Sequence, residues 1–238
     1  MRTIRSAALA FAALTVMSGS VLRAQGGPKD GLYLMTRYWS GTGLEIDAFF
    51  FKTGQVVRSP SANVDQFDFA AAKRATPGKV GQFTLGAGKM SITWGDGTKS
   101  ESAVETQAGD PCFTWDMGIF CPVEAFPAGA KLTGTFEGGA SSGGGVSNAR
   151  VITFAADGSY RMESSAAISS CTNQSTVTGG ATGAEAGTYQ LSGTLLRLTP
   201  AGGPPAYGVL VFPFTQNDAA KVKPDSLYFG GTMLKRKS

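Results

Sequence analysis

The sequence predicts an all-β protein, an antiparallel meander folded as two similar barrel-like halves, and three observations carry that expectation. The chain holds 33 glycines and only 16% charged residues, and beyond its first residues it lacks the Glu/Lys/Leu/Ala blocks that build helices. Apolar and polar residues alternate over short runs bounded by glycine-containing breaks, the period-two pattern of strands joined by turns. The same phrase also occurs twice: GQFTLGAGKMSITWGDG at 81–97 and GTYQLSGTLLRLTPAGG at 187–203.

Residues 1–24 read as a leader. Arg2 and Arg5 precede an apolar run from Ala7 to Met17, and Leu22 and Ala24 occupy the minus-three and minus-one positions of a cut before Gln25, the layout of a secretory signal peptide. The run is shorter than the ~20 residues of a bilayer-spanning helix and no second apolar segment approaches that length. No transmembrane span is expected, and the mature chain is placed in the periplasm or outside the cell. Cleavage removes three arginines and no acid, leaving 18 basic residues against 17 acidic. A charge of +1 gives no ground for a nucleic-acid or anionic-membrane partner, and Lys235-Arg236-Lys237 reads as a solvated chain end.

The first half (25–128) carries expected strands at 31–39, 45–52, 55–59, 80–86, 89–95 and 99–106, followed by a Cys-containing connector. The second (129–238) carries 131–137, 149–155, 158–164, 187–192, 194–199 and 205–213, with a last strand near 225–235. The repeated phrase is a hairpin in each, matching Gly81 with Gly187, Phe83 with Tyr189, Met90 with Leu196 and Ile92 with Leu198. Its alternation points Phe83, Met90, Leu85 and their counterparts inward, and Gln82, Thr84, Ser91 and Thr93 outward. Upstream, Phe50 aligns with Phe154, Gly54 with Gly158 and Gly31-Leu-Tyr33 with Gly134-Thr-Phe136, so the offset drifts from 103 to 106. Thr53-Gly54 and Asp157-Gly158 supply the positive-φ glycine of a tight turn. Both halves place a long non-strand insert at the same point. The first contains a short helix capped by Asn63 or Asp65; the second, rich in Gly, Ser and Thr, is read as mobile.

A meander must hide its edges, and closure into a barrel does so; whether the halves close separately or together is left open. The run of Gly-x-aromatic, then Phe-x-x-Asp/Thr-Gly, then Gly-x-aromatic-x-Leu and an alternating strand resembles the lipocalin-like, calycin-type barrels of bacterial secreted proteins. Here the lipocalin Gly-x-Trp is Gly31-x-Tyr33.

The chemistry is bounded mostly by what is missing. The chain has no histidine, which removes imidazole bases, His-containing triads and the usual zinc sites. Cys112, Cys121 and Cys171 form no C-x-x-C pair. In an oxidising compartment Cys112 with Cys121 is the expected bridge, with Cys171 free or replacing one of the two. Asp96, Asp110 and Asp157 lie in Gly- or Pro-containing turns as Asx residues. Glu45 and Asp47 share a strand face and are the first candidates for a glycosidase carboxylate pair, but a solvent-facing strand shows the same pattern. No catalytic residue, metal or cofactor is therefore assigned.

Two binding features remain. A barrel interior lined by Trp39, Phe50, Trp94, Phe154 and Tyr189 is either a pocket for a small apolar ligand or filled core. The stretch CFTWDMGIFCPVEAF (112–126), with Phe113, Trp115 and Phe120, is either a partner-docking lid or the next strand of the first half. The expectation is a non-enzymatic binding module taking a small apolar ligand, or an envelope interaction protein whose barrel is solid.

Overall fold

Continuous apolar runs such as AFFF (48–51) and VLVF (209–212) mark strands buried on both faces, and a computed structural model gives the reason. It describes residues 27–40, 43–61, 64–142, 146–172, 175–214 and 223–238. The expected leader, the Cys171 side chain and most of the Asn173-Gln-Ser175 sequon lie outside them.

The first half contributes β1 (Gly31–Trp39), β2 (Gly43–Lys52), β3 (Gln55–Arg58), helix α1 (Phe69–Ala75), a 3-10 turn (Pro77–Lys79), β4 (Val80–Gly86), β5 (Lys89–Trp94), β6 (Lys99–Ala103), β7 (Glu105–Thr106), β8 (Phe113–Trp115) and β9 (Gly118–Pro122). These form one nine-stranded antiparallel sheet in the order β6-β5-β4-β3-β2-β1-β9-β8-β7. Its two edge strands are consecutive in the chain, joined through Val104, so the sheet is a nearly closed barrel. The second half contributes β10 (Gly134–Ser142), β11 (Val146–Phe154), β12 (Ser159–Thr172), β13 (Ser175–Ser192), β14 (Leu195–Pro200), β15 (Tyr207–Pro213), β16 (Ser226–Phe229) and β17 (Thr232–Arg236), which form a closed barrel. The halves close separately.

The duplication holds residue by residue. Gly31 pairs with Phe51 as Gly134 pairs with Phe154, Val56 with Gly81 as Tyr160 with Gly187, and Phe113 with Phe120 as Leu227 with Leu234. Non-ladder hydrogen bonds repeat too: Phe83 N–H donates to Gly54 O and Tyr189 N–H to Gly158 O, while Val104 N–H donates to Gly88 O and Val211 N–H to Thr194 O. The β6–Val104–β7 segment is thus the counterpart of β15. The partner of Phe154 is Phe51, not Phe50. The β2–β3 turn holds two residues, whereas the β11–β12 loop is one residue longer, with Ala155 N–H donating to Ser159 O. A one-residue slip exchanges faces.

Three apolar cores follow. Tyr33, Met35, Phe49, Phe51, Val56, Met90, Ile92, Phe113, Trp115 and Phe120 fill the first barrel. Phe136, Ile152, Phe154, Tyr160, Tyr189, Leu196, Leu198, Val211, Leu227 and Phe229 fill the second, where Phe126 and Leu132 of the connector close one end. The intervening residues Leu32, Leu34, Ala48, Phe50 and Val57 face outward and meet Leu210, Phe212 and Tyr228 of the other barrel. Alternation therefore divides each wall between its own core and the seam.

Several expectations need correction. The cap of α1 is Asp68, whose Oδ1 accepts from Ala71 N–H, rather than Asn63 or Asp65. The second insert is not a loop: β12 and β13 run as a ladder from Ser159–Thr188 to Thr172–Ser175, and this tall hairpin occupies the place of the helical insert in the first half. The expected last strand is the β16–β17 hairpin, and Arg236 is not in a solvated tail. Its guanidinium lies 4.6 Å over the Phe136 ring and donates to Thr133 O and Pro224 O as β17 pairs with β10. Met90 and Leu196 point inward as expected, but Leu85, near the end of β4, is 45% exposed, with Gly27 of the segment before β1 beside it.

The repeated glycines have a steric cause. A Cβ on Gly81 would lie 3.0 Å from Thr93 O, and one on Gly187 would collide with Thr199 O. Gly81→Ala and Gly187→Ala should each lower stability by about 1–3 kcal/mol, with Gly187 the worse, whereas Gly86→Ala, which meets nothing within 4 Å, should leave the thermal midpoint almost unchanged. Cys112 and Cys121 are bridged across β8 and β9 with a sequence separation of 9. Peptide mapping without reduction should return that linkage, and reduction should cost about 2–3 kcal/mol for a loop of this length.

Candidate functional site

Barrel 1 ends in charge. Along β1, β2 and β3 the inward parity continues past Met35, Phe49 and Val56 to Arg37, Trp39, Glu45, Asp47 and Arg58, at the end away from the Thr53–Gly54 turn. Arg37 pairs with Glu45 (3.0 Å) and with Asp116 of the β8–β9 turn (2.9 Å), and Arg58 pairs with Glu45 (2.7 Å) and Asp47 (2.6 Å). Trp39 Nε1 donates to Glu45 Oε2, and Asp47 Oδ1 accepts from Ser59 Oγ and Ala48 N–H. Burial alone would raise the Glu45 carboxyl, but hydrogen bonds from Trp39 and Arg37 and the charges of Arg37 and Arg58 outweigh it and hold it below the usual range.

Glu45 and Asp47 do share one face, but that face looks into the barrel end rather than into solvent, and Asp47 is 7% exposed. A glycosidase acid needs a raised pKa; Glu45 is pushed the other way and both groups are consumed by arginines. The cluster is a plug.

The sequence-predicted pocket residues are not brought together. Phe50 lies in the seam against Phe67 and Phe69. Trp94 packs half-buried against the first core and Trp39 joins the plug, with Arg37 4.7 Å over its ring. Phe154 and Tyr189 pack edge to face at 5.0 Å in the second core, where Tyr189 donates its hydroxyl hydrogen to Leu132 O. The docking-lid residues are core as well: Phe113 and Phe120 stack at 4.9 Å, and Trp115 Nε1 donates to Met90 O. Of the large apolar side chains in that stretch, Met117 and Ile119 face solvent. Asp96, Asp110 and Asp157 accept from the backbone N–H two residues on, as Asx turns do.

The corresponding end of barrel 2 is built differently. Above the apolar floor, Arg150, Met162, Glu185, Tyr207 and Val209 continue the inward parity. Tyr160 and Tyr207 both donate hydroxyl hydrogens to Glu185 Oε1, at 2.6 and 2.7 Å. Burial first, and then the Glu185 carboxylate, raise both phenols far above the usual tyrosine range, so they remain hydroxyl donors. Arg150 lies 5.1 Å over the Phe229 ring, and its buried Nε has no hydrogen-bond partner. A cleft of about 330 Å³ opens here, lined by Arg150, Met162, Tyr207, Val209 and Phe229, and by Ser59–Ser61 of barrel 1. Both charged ends therefore lie on one side of the molecule. Sequence reasoning passed over Arg150 and Glu185; the signal available was that each is the one charged residue of its strand, β11 and β13, and sits at inward parity. Among the described residues, no group of three or more His, Cys, Asp or Glu is placed to hold a metal ion, and no helix is long and apolar enough to cross a membrane.

Because the folded Glu45 pKa is depressed, its contribution to stability is complete above the ordinary glutamate value of about 4.3 and is lost as pH falls through the lower folded value. Glu45→Gln should cost roughly 1–3 kcal/mol at pH 7, by taking from Arg37 and Arg58 one of the two acids that hold each of them, and should flatten the acid limb below pH 4.3 in denaturant titrations.

Comparison with protein-family models, with curated proteins and with solved structures finds no match to this chain.

Proposed function

We propose that the chain is an exported, non-enzymatic binding module: a tandem of lipocalin-like barrels in which the first is a solid scaffold and the second takes a small, largely apolar molecule at its mouth. The observation that carries this reading is the contrast between two copies of one fold. One barrel is packed with aromatic rings and sealed by ion pairs. The other opens into a cleft of about 330 Å³ over Met162, Val209 and Phe229, at the lower end of the range of small-molecule sites. The Cys112–Cys121 bridge supports an oxidising compartment, the periplasm or the exterior.

A second reading, an interaction protein of the cell envelope, draws on a different feature. Tyr38, Leu44, Met117 and Ile119 are at least half exposed around the plugged end of barrel 1. Met117 also holds a left-handed backbone (φ 61) at the β8–β9 turn, where the equivalent turn of barrel 2 uses Gly230 and Gly231.

Native mass spectrometry of protein purified without denaturation should reveal a small-molecule adduct, absent from a Val209→Trp variant that fills the mouth yet keeps the thermal midpoint. If no adduct appears and a protein partner co-purifies instead, lost on Leu44→Ser, the second reading replaces the first.

A further inference from the structure

We infer that the mouth of barrel 2 is an anion-recognition site in which Arg150 receives the carboxylate or other oxyanion head of a ligand whose apolar body lies against Met162, Val209 and Phe229. This rests on the binding reading above and names the chemistry of its ligand.

The inference comes from comparing the two barrel ends position by position. Through the strand registers, Arg37, Glu45, Asp47, Arg58 and Asp116 of the plug correspond to Ala140, Asn148, Arg150, Met162 and Gly230. Two arginines and three carboxylates, joined in four ion pairs, have become one arginine and no carboxylate. In barrel 1 each guanidinium is held by two acids. In barrel 2, among the described residues, no carboxylate lies within ion-pair distance of Arg150. Glu185, which continues the inward parity of β13, has Oε1 already engaged by two tyrosine hydroxyls. A guanidinium on a barrel's inner wall, with a buried Nε that nothing accepts from, bears the cost of partial desolvation without the compensation its counterparts enjoy. The Phe229 face offsets part of that cost, and an oxyanion in the adjoining cleft supplies the rest as a charge-assisted hydrogen bond. Specificity follows from the same groups. Tyr160 and Tyr207 keep the Glu185 charge turned to themselves, so that an anion entering beside Arg150 meets a guanidinium and phenol rings rather than a bare carboxylate.

The test is calorimetric titration of the folded full-length mature chain with octanoate, octanol, octylammonium and inorganic phosphate. Octanoate should bind at least tenfold more tightly than octanol, and octylammonium should not bind. Phosphate binding without octanoate binding would overturn the apolar-body half of the inference. Arg150→Met should weaken octanoate at least tenfold and change octanol less than twofold, while Arg150→Lys retains part of the affinity. Met162→Glu places a carboxylate where Arg58 meets Asp47 in barrel 1, a charge-reversed copy of that pair. It should abolish octanoate binding while leaving the thermal midpoint unchanged or higher, which separates loss of the site from loss of the fold. Equal affinity for octanoate and octanol, both abolished by Val209→Trp, would overturn the anion inference and leave the binding reading standing. Absence of binding by all four probes, together with no native adduct, would overturn both.

Discussion

The architecture depends on strands that are buried on both faces. Leu32, Leu34, Ala48, Phe50 and Val57 give barrel 1 an apolar outer stripe, and Leu210, Phe212 and Tyr228 give barrel 2 its complement, with Phe212 and Tyr228 stacked at 4.5 Å. Burying each large side chain is worth about 1.5–3 kcal/mol before ordering costs. The seam is a third apolar core to which both barrels contribute. It also fixes their mutual orientation, because the seam residues alternate with core residues along the same strands and cannot slide without a change of register.

That alternation explains what was legible in the sequence. The hairpin at 81–97 and its echo at 187–203 could be read because its walls face a core on one side and solvent on the other, with Gly81 and Gly187 forced by the facing threonine carbonyls. The walls at 48–51 and 209–212 could not be oriented, since both faces are apolar and period two carries no sign. Phe50 was therefore aligned with Phe154 and assigned to the interior. The β12–β13 hairpin was invisible for the opposite reason: Gly, Ser, Thr and Ala give no apolar alternation, and its strands are held by the ladder itself rather than by a buried face. The stretch at 112–126 stays open between lid and strand on a third count, because two short strands, β8 and β9, with a two-residue turn at Asp116–Met117 leave too little pattern to separate core from surface.

The candidate site was less legible than the fold because its meaning lies in a difference between copies. Arg150 alone is an ordinary charged residue. It acquires significance only when the register equates it with Asp47 and shows that every carboxylate of the opposing plug has been replaced. A buried ion pair stripped of one partner is far costlier than a pair replaced entirely by apolar groups. A merely solid second barrel would carry uncharged residues at all five positions. Instead both plug arginines are replaced, by Ala140 and Met162, and a new arginine stands at the position of Asp47 with no acid opposite it, which leaves a charge for an external partner.

Strand number explains why that partner must come from one side. In an up-and-down barrel with eight wall positions, the chain enters and leaves at the same end. The segment before β1, the Cys112–Cys121 bridge beside the end of β9, and the connector bearing Phe126 and Leu132 consequently all gather at one end of each barrel. There they close it, as the Tyr189 hydroxyl anchored on Leu132 O illustrates. The opposite ends carry connections between consecutive strands, which are free to lengthen without disturbing connectivity. Both insertions of the duplicated unit, α1 with its flanking turns and the tall β12–β13 hairpin, project from that side. The ion-pair plug, the exposed Tyr38 and Leu44, and the Arg150 cleft occupy it too. The topology thus reserves one side of the molecule for covalent continuity and leaves the other to vary.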